Sequence, residues 1–211
     1  CGNGARCVAR FVAERWTGRD RVRIETDAGV KDAEILRDAL GAVVGVALEM
    51  GAPRLDAAEV PCRGRGPVID APLPLPGCGG PLAPRITCVS MGNPHAVLFV
   101  EDPATAPVLA LGPEIGANPF FPEGVNVEFA RVVGPERIEM RVYERGSGET
   151  AACGTGACAV VVAAVLTGRI ERGRAVAVHM PGGAARVTWR TDDAVVLEGP
   201  AVVAFEGAVA F

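Results

Sequence analysis

Lysine is nearly missing from this chain. Lys31 stands alone against 20 arginines in 211 residues. A pyridoxal-phosphate enzyme needs a Schiff-base lysine, and Lys31 lies in a polar stretch that offers no such pocket. No cofactor is therefore expected. Long apolar runs are missing too. None reaches the ~18 residues that cross a bilayer, and the most apolar stretch, 151–166, is broken by Gly, Thr and Cys. No signal-peptide pattern is present, so no membrane partner is expected. Positive charge is not in surplus. The net charge of −4 excludes a general nucleic-acid binder working through a basic face, though not a local seat for a small anion. Metal-ligand spacing is missing as well: there is no Cys-x₂-Cys pair, and His95 and His179 have no partner at zinc spacing. The first residue is Cys1 and the first methionine is Met50, which reads as a processed chain or a fragment. The seven cysteines are odd in number and without scaffold spacing, so reduced thiols in a cytoplasmic setting are expected.

What is present is a core-forming composition, 49% apolar and 22% charged, and a self-similarity. Cys1-Gly2-Asn3-Gly4-Ala5-Arg6-Cys7 resembles Cys153-Gly154-Thr155-Gly156-Ala157-Cys158. Each leads into a helical stretch, and each stretch stops at Thr-Gly-Arg, with Gly18 and Gly168 suited to the position just past a helix end. The chain thus reads as two related halves. In the first helix Val8, Phe11, Val12 and Trp16 form an apolar face with arginines opposite. The second, 158–166, is apolar all round and must be surrounded, because three successive valines do not favour a helix by themselves. A sheet wrapped around it would do this. Strand patterns lie at 22–24, 44–50, 85–91, 96–100, 125–133, 137–144, 175–180, 185–190, 194–197 and 202–205. The segment 61–84 holds seven prolines and five glycines and reads as the domain boundary. The fold class is α/β of the α+β kind: two pseudo-symmetric domains, each a mostly antiparallel sheet around a central helix. The expected division is 1–72 for the first, 73–200 for the second, and 201–211 as a final strand returning to the first.

The cysteine motifs carry the chemistry. A thiol at a helix N-terminus meets free N–H groups and the positive end of the dipole, which favours the thiolate over its ordinary pKa near ~8.5. The same N–H groups can cradle a carboxylate, and the flanking glycines admit close approach. Two such motifs facing each other would put one sulfur on each side of a bound amino acid. That suits inversion at a carbon α to a carboxylate, which needs a proton removed from one face and returned to the other. Cys62, Cys78, Cys88, Cys7 and Cys158 read as small buried hydrophobes. Weaker polar signals are Asn93-Pro94-His95 between strands, Asn126 interrupting a strand, and Glu144-Arg145 ahead of the second motif. Asp27-Ala28-Gly29 reads as a turn, and His179 as a structural histidine.

Taken together, Cys1-Gly-Asn-Gly-Ala-Arg-Cys7, Gly92-Asn-Pro-His95, Asn126-Val127, Tyr143-Glu-Arg-Gly146 and the run from Gly148 to Ala157 resemble the diaminopimelate epimerases, in order and over the whole chain. The resemblance implies cofactor-independent interconversion of LL- and meso-2,6-diaminopimelate, on the route to lysine and peptidoglycan. It implies Cys1 and Cys153 as the acid–base thiols. Backbone N–H groups of Gly2, Asn3, Gly154 and Thr155 would hold the carboxylate at the reacting end. Asn93, Asn126 and Arg145 would read the distal end. His95 and Glu144 would help set the thiols' protonation. The partner is then the small-molecule substrate, and a homodimer is left open.

The sequence departs from that family at its start, where the family has further strands and another substrate-binding Asn. The expectation is therefore an incomplete first domain, poorly folded and weakly active or inactive alone. Three alternatives remain: a binding-only domain of the same fold, another two-cysteine amino-acid racemase, or a true N-terminal Cys1 acting as hydrolase nucleophile or lipid anchor.

Overall fold

The computed structural model describes residues 2–26, 29–75 and 83–208. Cys1, Cys78 and the first two residues of the expected Asp27-Ala28-Gly29 turn lie outside the described residues. The chain forms two compact units, residues 1–49 with 198–211, and residues 50–197. The described part of the Pro- and Gly-rich segment falls inside the second unit.

In the first unit, helix α1 (Gly2–Val12) runs into a wider π turn over Ala13–Thr17. Gly18 stops it at φ 64°, its N–H donating to the Ala13 carbonyl. The stop is where the Thr-Gly-Arg signal placed it, because a left-handed residue is cheap only for glycine. Strands β1 (Arg21–Thr26), β2 (Gly29–Arg37) and β3 (Val43–Gly51) pair antiparallel, with Val22 opposite Ala33 and Ile35 opposite Val46. The helix packs on β1 and β2 through its small residues.

Here the expected amphipathic face is corrected. Val8, Phe11 and Trp16 are exposed, whereas Gly2, Arg6, Ala9 and Ala13 are buried. Close approach of helix and backbone selects Gly and Ala, and Arg6 is accommodated because its guanidinium donates to Asn3 Oδ1 at 2.9 Å and to the Pro200 carbonyl. Cys7 is exposed, not the buried hydrophobe expected. The strand expected at 202–205 is absent: 201–208 carry no regular structure, and Arg10 donates to the carbonyl of Ala201 there.

The second unit is built around helix α3 (Gly154–Leu166). Its residues from Gly156 through Ala164 are all buried. Burying a valine contributes about 1.5–3 kcal/mol, against a propensity penalty under about 0.7. Burial therefore holds Val160, Val161 and Val162 helical. The sheet runs, in spatial order, β12 (Val195–Gly199), β11 (Gly183–Trp189), β10 (Ala175–Met180), β8 (Arg137–Glu144), β7 (Asn126–Gly134), β6 (Pro94–Phe99), β5 (Arg85–Ser90) and β4 (Ala71–Pro72). A short β9 (Gly148–Thr150) pairs with β8.

Most neighbours are antiparallel, but β6–β7 and β8–β10 are parallel. Parallel neighbours need a crossover of a dozen residues or more. Helix α2 (Val108–Gly116) lies on the first crossover and α3 on the second. The sheet separates two apolar clusters. Val97, Ala130, Met140 and Val142 pack with α3, while Leu98, Val127 and Phe129 pack with Val108 and Ile115 of α2. Along β6, β7 and β8 the period of two thus sorts each residue to the α3 or the α2 side. The fold is α+β with a mostly antiparallel sheet, as the patterning implied.

Candidate active site

Cys153 is the N-cap of α3, with extended backbone at φ −135° and ψ 112°. Its Sγ accepts from the Gly156 N–H at 3.4 Å and lies 3.5 Å from Thr155 Oγ1. The N–H groups of Gly154 and Thr155, in the first turn, have no carbonyl four residues back within the helix. Both residues are half-buried, so they offer an anion seat beside the sulfur.

The protonation of this thiol runs opposite to the expectation from the helix end. Cys153 is pushed up to about 12, first by burial, then by the negative charges of Glu128 and Glu144. The Thr155 and Gly156 hydrogen bonds pull it down but are outweighed. The group is only 5% exposed, and removal from water disfavours a thiolate more than one helix terminus can favour it.

Behind Cys153 lies a buried polar chain. His95, at the start of β6, is fully buried. Its Nε2 meets Asn93 Oδ1 at 3.1 Å and its Nδ1 meets Glu128 Oε1 at 2.6 Å. Glu128 on β7 is also fully buried. It reaches the first turn of α3: a Cβ added at Gly156 would sit 2.8 Å from Glu128 Oε1 and 3.3 Å from Cys153 Sγ. Glu128 is not among the site residues expected from the sequence. Its signal was available in the alternation of β7, where Glu128 shares a face with Asn126 and Ala130, and Ala130 belongs to the α3 core.

The other expected residues are placed as follows. Glu144 ends β8 and accepts from Thr150 Oγ1. Asn126 is buried, and its amide is used twice within the protein. Its Nδ2 donates to the Pro94 carbonyl at 2.8 Å, and its Oδ1 accepts from the Arg145 N–H at 2.9 Å. Arg145 is exposed and donates to the Glu123 carbonyl at 2.7 Å. The second unit therefore brings Asn93, His95, Glu144, Cys153, Gly154 and Thr155 into one neighbourhood, together with Glu128. In the first unit Gly2 opens α1 and is buried, while Asn3 is exposed, its side chain turned to Arg6.

The fold is shared with solved amino-acid epimerases and related proteins. A hydroxyproline epimerase from Agrobacterium vitis superposes with a TM-score of 0.66 at 20% identity, over 93% of this chain and 62% of that one. A phenazine biosynthesis protein from Bacillus anthracis gives 0.62 at 17% identity, over 95% and 72%. These establish the architecture alone. Closer relatives are found by sequence. The diaminopimelate epimerase profile matches residues 87–204. The diaminopimelate epimerase of Heliobacterium modesticaldum is 47% identical over 98% of this chain and 73% of its own length. That of Pelotomaculum thermopropionicum is 48% identical over 98% and 72%. The protein is an isomerase of the epimerase class. More narrowly, the chain belongs to the diaminopimelate epimerase family.

Proposed function

We propose that this chain epimerises LL-2,6-diaminopimelate to the meso isomer by two-thiol acid–base chemistry, without a cofactor, on the route to lysine and peptidoglycan precursors. The observation that carries the reading is Cys153: a buried thiol capping a helix whose Gly154 and Thr155 N–H groups have no carbonyl partner within the helix and can take a carboxylate. The substrate's reacting carboxylate sits against Gly154 and Thr155, with Gly2 and Asn3 as the counterpart group. Negative charge that develops there as the α-proton leaves is stabilised by fixed N–H dipoles in a site poor in water.

Inversion requires a base on one face of the carbon and an acid on the other. Cys153, held protonated by burial and by neighbouring carboxylates, is the resting acid. Cys1 is the base. One proton leaves the α-carbon for the Cys1 thiolate, and one passes from the Cys153 thiol to the opposite face, so the two sulfurs exchange roles. His95 and Glu144 assist the thiols. Asn93, Asn126 and Arg145 discriminate the distal amino-acid end.

The test is α-deuteration of LL-diaminopimelate in deuterated water, followed by mass spectrometry. Incorporation by the wild-type chain and loss of net epimerisation in Cys153→Ala are expected. Unchanged net epimerisation in Cys153→Ala would remove the mechanism. Binding of substrate without any incorporation would point to a binding-only domain.

A further inference from the structure

Glu128 has the environment of a functional group. It is fully buried. One oxygen meets His95 Nδ1, while Oε2 has no hydrogen-bond partner among the described residues. A buried, unpaired carboxylate oxygen is costly, and native proteins keep few of them. The position is over-determined: the period of two along β7 points the side chain to α3, and Gly156 leaves the room its oxygen fills. Asn93 fixes the partner. Its Oδ1 lies 3.1 Å from His95 Nε2, and the Nδ1 of the same ring lies 2.6 Å from Glu128 Oε1.

We propose that Glu128 is a positioning residue for Cys153: with His95 it forms a buried pair under the first turn of α3 that opposes the helix's positive end and keeps Cys153 a thiol, the acid of the reaction. The proposal rests on reading Cys153 as an acid–base thiol. Three charged or titratable groups bear on it. Glu128 faces the thiol from β7 and Glu144 from β8, both favouring the protonated form. His95, on β6, acts through Glu128. Glu144 is partly exposed and tied to Thr150. Glu128 has no such outlet, and its influence on the sulfur is the larger of the two.

The test titrates Cys153 itself. The chain is labelled with [3-¹³C]cysteine, the Cys153 resonance is assigned with Cys153→Ser, and its thiol-to-thiolate shift is followed with pH. Two variants are expected to move in opposite directions. Glu128→Gln removes the carboxylate with little change of shape and lowers the midpoint from about 12 by about one unit or more, so that near pH 11 about half or more of the thiol is ionised, against about a tenth in wild type. His95→Gln leaves the carboxylate uncompensated and raises the midpoint above that of wild type. A purely structural role for the pair would loosen the site and release the thiolate in both variants, which would overturn the proposal. So would an unchanged midpoint in Glu128→Gln. Should Glu128→Gln fail to fold, as read by circular dichroism, His95→Gln decides alone: a midpoint at or below that of wild type overturns the proposal, and one above it upholds it. The readout does not depend on turnover. Failure to deuterate diaminopimelate would count against the proposed function and leave this measurement standing.

Discussion

The N–H of Gly156 donates to the sulfur of Cys153 at 3.4 Å, and the same glycine leaves the space that a Glu128 oxygen occupies. A helix-interior Gly→Ala change ordinarily stabilises by roughly 0.8–1 kcal/mol. Here the new methyl would meet Glu128 Oε1 at 2.8 Å and Cys153 Sγ at 3.3 Å. An end of a flexible side chain would normally give way, but this one is fully buried and held by His95. Gly156→Ala is therefore expected to destabilise by about 1–3 kcal/mol, as overpacking does, and to lose most α-deuteration. Urea unfolding with the exchange assay checks both. A stabilised, active variant would show that the Glu128 carboxyl is free to move.

Asn126 offers a sharper separation of structural from recognition roles. Its amide ties the start of β6 to the turn after β8, using the donor end on Pro94 and the acceptor end on Arg145. Asn126→Asp keeps the shape and turns the donor into an acceptor. Two oxygens would then face each other at 2.8 Å in a buried place. The expected cost is about 1–3 kcal/mol, read as a lowered urea midpoint. A stability unchanged from wild type, with KM raised, would instead place the residue's work in substrate recognition alone.

The chemistry-bearing residues were legible because few residue types do such work. A Cys-Gly-x-Gly repeat ahead of two helices points to thiols at N-termini, and α3 does carry Cys153 as its cap. Strand periodicity placed β8 and β10 correctly, since both are half-buried strands with regular alternation. Three features were not legible. Helix α2 contains Pro113 and Gly112, which read as breakers; tertiary packing holds it, with Gly112 pressed so closely to Tyr143 that a Cβ would fall 2.5 Å from its ring. The apolar stripe of α1 faces outward because the sheet admits only its small residues. The high thiol pKa depends on burial and on the approach of Glu128 to the first turn of α3: the alternation of β7 gives the side Glu128 faces, but not that it meets Cys153 there.

That high pKa has a consequence for stability. The Cys153 thiol rises from an ordinary 9.0 to about 12 in the folded chain. Between these values the folded state keeps a proton that the unfolded state has lost. Since stability changes with pH as the difference in protons bound by the unfolded and folded states, this group's contribution is full below pH 9 and falls as pH rises towards 12. The loss amounts to a few kcal/mol at most, at roughly 1.4 kcal/mol per pH unit. Cys153→Ala has no such proton to keep. Its urea midpoint should fall less steeply than that of wild type between pH 8.5 and about 10.5, where the remaining titrating groups are common to both proteins. The two curves should converge as pH increases. Parallel curves across that range would mean that Cys153 titrates alike in the folded and unfolded chains, and that neither its burial nor its neighbouring carboxylates hold the proton on the sulfur.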